Sequence, residues 1–314
     1  MYADYASAGE AAKYFALLEL PGVGPVRAER LLQGDTDVDS LVNFLSNENL
    51  GEQREGPSLE SLIEAVEREI SEQMDLGMNL LRLGDSRYPT NLARSKYRRR
   101  YLFSLGDSEI DVAESVAVIG TSRSSPDGEK EVSKLVEGAA SDGYTLVSGL
   151  ARGIDGSVHR AAMNYGAPTI AVVGTGLGNV FPPEHRGLHD EIAQTYAVYS
   201  QFLPSFKGAR WSFPERNKTM AGIAKGTVVM QSRPGSGSLL QAKSSLADGR
   251  KVFIHVSNQG ELENREWVKE FCRRGAVLFS EWSEIAAQLN KYEYEYEHQT
   301  AVLPGFEPGG GFDD

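Results

Sequence analysis

Cysteine is almost absent from this 314-residue chain, since Cys272 is the single one. No internal disulfide can form, and we expect a protein of the reducing cytoplasm. No apolar run reaches the roughly 18 residues of a membrane span, and the N-terminal segment lacks the basic and apolar regions of a signal peptide. We therefore expect no membrane partner.

An excess of positive charge is also lacking. The chain holds 32 Lys and Arg against 44 Asp and Glu, a net charge of −12. This balance argues against a protein that coats nucleic acid over its whole surface. It leaves room for a local basic groove, because salt screens each surface charge beyond about 10 Å.

The pattern of apolar residues divides the chain into four parts. Residues 1–75 predict short helices, at 11–18, 41–45 and 59–74. Residues 76–110 predict a connector with two short strands, and residues 291–314 an acidic, partly disordered tail. Residues 111–290 alternate short β-branched strands with helices, which is typical of an α/β domain with a mainly parallel sheet. The seven predicted strands are VAVIG, YTLVSG, APTIAVVG, YAVYS, GTVVMQS, RKVFIHV and GAVLFS.

The first strand-to-helix turn, VAVIGTSRSSPDG, offers an anion site. Gly120 permits a tight turn, Ser122 offers a hydroxyl and Arg123 a forked cation. Amides at the start of the next helix favour an anion. The alternative is an ordinary connection whose arginine faces solvent.

The second unit, TLVSGLARGIDGSVHR, has the same layout. Gly149 and Gly153 permit a close approach of the backbone. Asp155 and His159 lie four residues apart on one helix face. They form either an acid–base pair or, with no nucleophile or metal ligands beside them, a pair that caps and orients the helix.

The glycine pattern does not favour a nucleotide cofactor. GTGLGN lacks the full GxGxxG spacing, and no acidic residue stands at the ribose-binding offset. A GxxxxGK[ST] loop is also missing. We expect no cofactor.

The stretch RWSFPERNKTMAG is the most distinctive in the chain. Because Phe213 precedes Pro214, we expect a loop there, with Arg216 and Asn217 opening the next helix. An aromatic ring beside arginines suits an unstacked base and its phosphate. The alternative has Phe213 in the core and Arg216 in a structural ion pair. Upstream lie Arg210 and Trp211, and a further glycine–serine turn holds Gly235 and Ser236.

Six motifs together resemble the DNA-processing protein A (Smf) family. They are GTSR, SGLARGID with a following His, VVGTGLGNVFPPEHRGLH, FPERNKTMAG, GSGSLLQA and DGRKVF. The resemblance implies an extended Rossmann-like domain preceded by a small helical domain of the sterile-alpha-motif or helix–hairpin–helix type. It also implies a homodimer without enzymatic activity. Such a protein would bind single-stranded DNA and load a RecA-type recombinase during natural transformation, in competent cells.

The resemblance also implies a set of DNA-binding residues on the glycine loops and around FPERN. These are Gly120, Ser122, Arg123, Gly149, Gly153, Arg210, Phe213, Arg216, Asn217, Gly235 and Ser236. The N-terminal LPGVGPVRAERLL resembles a helix–hairpin–helix, in which Gly22 and Gly24 would present amides to a phosphate and Arg27 would assist. The alternative is a packing module that kept its glycine turn.

Four departures from the family pattern lie close to this predicted site. The chain has Gln201 and Gln231 where the family has acidic residues, and Lys218 where it has arginine. It also has His255-Val256-Ser257-Asn258 in place of a segment that ends in Pro-Gly. These changes keep a second hypothesis open, a sensor of a nucleotide or another small signal molecule. A third, a phosphoribohydrolase, needs a PGGxGT motif that PGSGSLLQA does not match.

Overall fold

The computed structural model describes residues 7–20, 22–32, 58–107, 110–260 and 265–299, with side chains up to residue 290. The described residues before position 76 form three helices, α1 (Ala8–Leu18), α2 (Pro25–Leu32) and α3 (Leu59–Asp75). Ser7 and Ser58 begin α1 and α3 by accepting a hydrogen bond from a first-turn amide. The predicted helix at 41–45 and residues 300–314 lie outside the described residues.

The remaining described elements build one sheet with helices on both faces. In chain order they are β1 (Asn79–Arg82), α4 (Thr90–Ala93), β2 (Tyr101–Gly106), β3 (Ser115–Ile119), α5 (Pro126–Ser141), β4 (Thr145–Ser148), α6 (Ile154–Tyr165), β5 (Thr169–Val172), α7 (Arg186–Thr195), β6 (Ala197–Ser200), α8 (Ser212–Ile223), β7 (Gly226–Val229), α9 (Gly237–Ala247), β8 (Lys251–His255), α10 (Arg265–Arg273), β9 (Val277–Phe279) and α11 (Trp282–Gln299). Two 3₁₀ turns, Pro183–His185 and Val256–Gln259, lie between them.

The strands of the sheet follow the order β1-β2-β6-β5-β4-β3-β7-β8-β9. The seven strands from β3 to β9 are parallel, whereas β1 and β2 are antiparallel and extend the edge beside β6. The chain runs outward from β3 to β6 and then crosses back to β7. The strand order therefore reverses between β3 and β7, where open α/β sheets place their ligands.

The sheet is covered on both faces, which explains its apolar strands. Every residue of β3, β4, β5, β6 and β7 is buried. One face packs against α8, α9 and α10, and the other packs against α5, α6 and α11. Strands buried on both faces are short and β-branched. All seven predicted strands are confirmed, as is the mainly parallel sheet.

One local prediction was wrong. The loop expected at Phe213 and Pro214 is helical, because α8 begins at Ser212 and Arg216 lies well inside it rather than at its start. Proline lacks an amide hydrogen, but the first turn of a helix leaves that hydrogen unpaired in any case. The helix can therefore run through Pro214.

The segment predicted as a connector, residues 76–110, contributes β1, α4 and β2 to the sheet. Its strands pair in register from Asn79 with Ser104 to Arg82 with Tyr101. The helices α1 and α3 pack over the outer strands β1 and β2, where Glu10 forms ion pairs of 3.1 Å with Arg82 and Arg100. Among the described helices, none is both long and apolar enough to cross a bilayer.

Candidate nucleic-acid interface

The predicted site residues of the sheet domain converge on one edge of the sheet. Each follows the carboxyl end of a parallel strand, β3, β4, β6 or β7. The first two loops touch each other, since the Ile154 amide donates to the Thr121 carbonyl at 3.1 Å. The structure thus brings the predicted residues of these loops to the carboxyl ends of the parallel strands, with the loops after β3 and β7 at the point where the strand order reverses.

Two glycines are required by this close contact. Gly153 has a φ of +70°, and a Cβ there would collide with the Thr121 carbonyl. A Cβ on Gly120 would collide with the side chain of Ile154 and the carbonyl of Gln231. Both positions need glycine for packing of the loops, whatever ligand the loops hold.

Arg216 lies beneath the loops, only 6% exposed. Its Nη1 donates to the Gly149 carbonyl at 2.5 Å and also to the Val172 carbonyl. Burial lowers the pKa of Arg216, and the charge of Asp155 opposes that shift. Burial raises the pKa of Asp155, and the positive charge of Arg216 is the largest influence that opposes this rise. Arg216 therefore joins the ends of β4 and β5 through two buried hydrogen bonds, and its charge favours the ionised form of Asp155.

The exposed part of the edge carries the other arginines. Ser122, Arg123 and Arg210 are exposed. Neither Arg123 nor Arg210 forms an ion pair with any residue that the structure describes. Phe213 is half-buried, and its ring lies 5.4 Å from that of Phe181. The surface thus combines two available cations with an aromatic ring, a composition suited to phosphates and bases.

The amino terminus of α5 is already capped by its own side chains. Ser125 Oγ accepts from the Gly128 amide at 3.1 Å, and Ser124 Oγ donates to Glu129 at 2.6 Å. Asp127 and Glu129 add carboxylates to this first turn. An anion at this loop would therefore depend on the Arg123 guanidinium more than on the helix amides.

Asn217 and the glycine–serine turn connect α8 to α9. Asn217 Oδ1 accepts from Arg216 Nε at 3.0 Å, and its Nδ2 donates to the Gly237 carbonyl at 3.2 Å. Gly235 is exposed at φ +74°. Ser236 shares hydrogen bonds of 2.7–2.8 Å with the hydroxyls of Ser232 and Ser238.

Two residues to which the sequence analysis assigned no role hold the site together. Gln231, at the end of β7, accepts from the Ser125 amide at 3.1 Å and so bridges the point where the strand order reverses. Asn258 accepts from the Ser232 amide at 2.9 Å and donates to the Met230 carbonyl at 2.9 Å. Both stood out in the sequence only as departures from the family pattern.

His159 does not bond to Asp155. It is fully buried, with Nδ1 2.8 Å from the Thr169 hydroxyl. Burial lowers its pKa to about 3, so the ring is neutral at ordinary pH. Asp155 instead accepts from the Ala151 amide at 3.4 Å. No group of three or more metal-ligating side chains occurs in the described ranges.

The N-terminal residues lie on a separate turn. Gly22 and Gly24 are exposed between α1 and α2, with φ +74° at Gly22, and Arg27 is half-exposed on α2. The DNA contacts predicted for this turn, and for the residues of the carboxyl edge, stay predictions.

Comparison with known proteins bears on the family. The sequence profile described as DNA recombination-mediator protein A matches residues 79–290. The DNA processing protein DprA of Streptococcus pneumoniae is 36% identical over 169 residues, which cover 54% of this chain and 60% of that protein. Protein Smf of Escherichia coli is 34% identical over 206 residues, or 64% of this chain and 54% of that one. The chain thus spans less than two thirds of the length of these relatives.

Two solved structures share the fold. DNA processing protein A from Streptococcus pneumoniae has a TM-score of 0.67 at 24% identity, and the alignment covers 90% of this chain and 98% of that chain. DNA processing protein A from Helicobacter pylori has a TM-score of 0.58 at 22% identity, with coverages of 69% and 96%. At these identities the structures show the Rossmann-like fold alone. Since the family profile matches about two thirds of the sequence, the chain belongs to the DNA recombination-mediator protein A family.

Proposed function

We propose that the chain binds single-stranded DNA at the carboxyl edge of its parallel sheet. The observation that supports this most is that two exposed arginines, Arg123 and Arg210, and the half-buried ring of Phe213 all lie on segments that follow the carboxyl ends of parallel strands. The solved Helicobacter pylori relative is described by its single-stranded DNA binding mode, which agrees with the proposal.

The residues divide into two roles in this proposal. Arg123 and Arg210 bind phosphates, Ser122 and Ser236 donate to them, and Phe213 stacks on a base. Arg216 positions the loops from below, because its guanidinium already donates hydrogen bonds to the carbonyls of Gly149 and Val172. Positioned loops reduce the entropy that DNA binding would otherwise cost.

The wider function follows from family membership. We infer that the protein acts in the cytoplasm as a homodimer, mediates recombination by loading a RecA-type recombinase onto the strand, and catalyses no reaction itself. Light scattering at micromolar concentration tests the dimer, and a wholly monomeric protein would contradict it. Filament assembly by the recombinase on a strand covered with a single-strand binding protein tests the loading.

Fluorescence anisotropy with a labelled oligonucleotide tests the DNA binding itself. We expect the single strand to bind more tightly than its duplex, whose stacked bases cannot reach Phe213. Arg123→Ala should weaken binding, whereas Arg274→Ala should not. Arg274 is also exposed, but it precedes β9 at the opposite edge of the sheet. Tighter binding of the duplex, or of free nucleotides in preference to DNA, would reject the proposal.

A further inference from the structure

A second aromatic surface lies beside the candidate interface. It borders a groove of about 540 Å³ between α1 and the carboxyl end of β6. We call it the aromatic groove, because its lining includes the rings of Tyr14, Phe15, Tyr101, Phe202, Phe206 and Trp211. The volume is ample for a nucleobase.

Trp211 is the unusual member of this groove. Its side chain is 58% exposed, whereas Trp267 and Trp282 are each 7% exposed. The ring is nevertheless held in place, because its centroid lies 5.7 Å from that of Phe202 and 5.6 Å from that of Phe206. A supported ring with an open face is the arrangement that stacks on an unpaired base.

Polar groups also line the groove. Gln201 is one of them, and its Oε1 accepts from the Thr219 hydroxyl. Within the part of the chain that the structure describes, Gln201 Nε2 has no hydrogen-bond partner and can donate to a base. Glu215 also lines the groove, but ion pairs with Arg99 and Lys218 compensate its charge.

The groove and the candidate interface adjoin each other along the chain at the start of α8. Trp211 and Phe213 lie two residues apart there, and their rings contact different neighbours, Phe202 and Phe181 respectively. Arg210 precedes them, and Lys207 lies on the same loop. Both are exposed, and neither forms an ion pair with a described residue. A strand with one base on Phe213 could place a neighbouring base on Trp211 while its phosphates follow this loop.

We propose that the aromatic groove binds a second nucleobase of the single strand, stacked on Trp211. The proposal rests on the proposed function and extends it by a binding subsite. It predicts that two bases of a short oligonucleotide contribute separately to affinity, one through each ring. Stacking of this kind strengthens binding by about fivefold or more for each base.

A scan with abasic oligonucleotides tests the subsite. Each probe is a short single strand that lacks one base, so charge and length stay constant. With the parent protein, loss of a base should weaken binding at two separate positions. In Trp211→Ala, one of those positions should become insensitive, while the intact strand binds about fivefold or more weakly. Trp211→Phe keeps a ring and should restore most of the affinity.

Tyr165→Ala serves as the matched control. Tyr165 is an aromatic residue with 42% exposure at the end of α6, on the opposite edge of the sheet. The Tyr165→Ala variant should bind every probe as the parent protein does. Intrinsic fluorescence gives an independent readout, because Trp211 is the exposed tryptophan and a stacked base should quench it.

The outcomes separate the two proposals. If the parent binds no single strand, both the DNA-binding function and the subsite are rejected. If the parent binds and Trp211→Ala binds equally well, or loses affinity alike for every abasic probe, the subsite is rejected and the function stands. A groove that instead holds an apolar side chain of a protein partner would give this second result.

Discussion

Replacing Arg216 tests whether this residue organises the site from below. Arg216→Met keeps the length and apolar stem of the side chain but removes the guanidinium. The change leaves the Asp155 carboxylate buried without its cation and deprives two carbonyls, those of Gly149 and Val172, of a donor. We expect a large loss of stability, and with it a loss of DNA binding.

The size of the loss follows from the contacts. A hydrogen bond with one charged partner contributes about 1.5–3 kcal/mol, and Arg216 Nη1 donates to both the Gly149 and the Val172 carbonyl. The total approaches the 5–15 kcal/mol of a typical domain, so the variant should be close to unfolding at room temperature. A surface arginine in the same protein should change stability by only about 0.5 kcal/mol.

Urea unfolding at low temperature measures this difference, with Arg123→Met as the matched surface control. The double variant Arg216→Met/Asp155→Asn removes both charges and should regain at least about 1 kcal/mol relative to Arg216→Met. A loss below about 1 kcal/mol in Arg216→Met would refute the burial argument. So would a stable Arg216→Met protein that has lost only DNA affinity, since that result assigns Arg216 a direct contact.

Four further predictions concern affinity, packing and pH. Arg123→Ala should lower single-strand affinity by about 1–3 kcal/mol without changing the thermal midpoint, and an unchanged affinity would remove Arg123 from the site. Phe213→Ala should lower affinity by about 1–3 kcal/mol with the same salt dependence, whereas Arg123→Ala should reduce the log–log salt slope by up to about 0.7, as salt titrations would show. Gly149→Ala would bring a Cβ within 2.5 Å of Arg216 Nη1 and should destabilise the protein by about 1–3 kcal/mol in urea. His159 has a pKa of about 3 in the folded protein against 6.5 in the unfolded chain. Below pH 6.5 the unfolded chain therefore binds a proton at His159 that the folded protein does not, and the free energy of unfolding falls as the pH drops, by about 2 kcal/mol at pH 5. His159→Asn should remove that part of the difference between unfolding at pH 7.5 and at pH 5.

The sequence predicted the architecture of the sheet well because its signals are local. Strands such as Ser115–Ile119 are apolar and β-branched over their whole length, and a glycine turn and a helix follow. The carboxyl ends of parallel strands meet at one edge, so the loops that follow the predicted strands converge there. The pairing of β1 with β2, and of β2 with β6, is a long-range property that no local pattern encodes.

The sequence could not show which of its arginines are buried and which are exposed. Arg123, Arg210 and Arg216 all follow strands and all resemble phosphate ligands in the sequence. Only Arg216 lies on the inner face of a helix that packs over β4 and β5, and that placement depends on where α8 begins. Because the sequence predicted that start after Pro214, it assigned Arg216 to the helix tip, where an anion could reach it.

The departures from the family pattern are consistent with one another once their partners are known. Gln201 accepts from the Thr219 hydroxyl, Gln231 accepts from the Ser125 amide, and Asn258 joins the ends of β7 and β8. Gln201 and Gln231 stand where the family has acidic residues, so each removes a negative charge from the edge that carries Arg123 and Arg210. Fewer carboxylates at that edge strengthen its attraction for phosphate in a chain whose net charge is −12. The substitutions therefore favour retention of a polyanionic ligand, and they weaken the argument for a separate signal molecule that they first suggested.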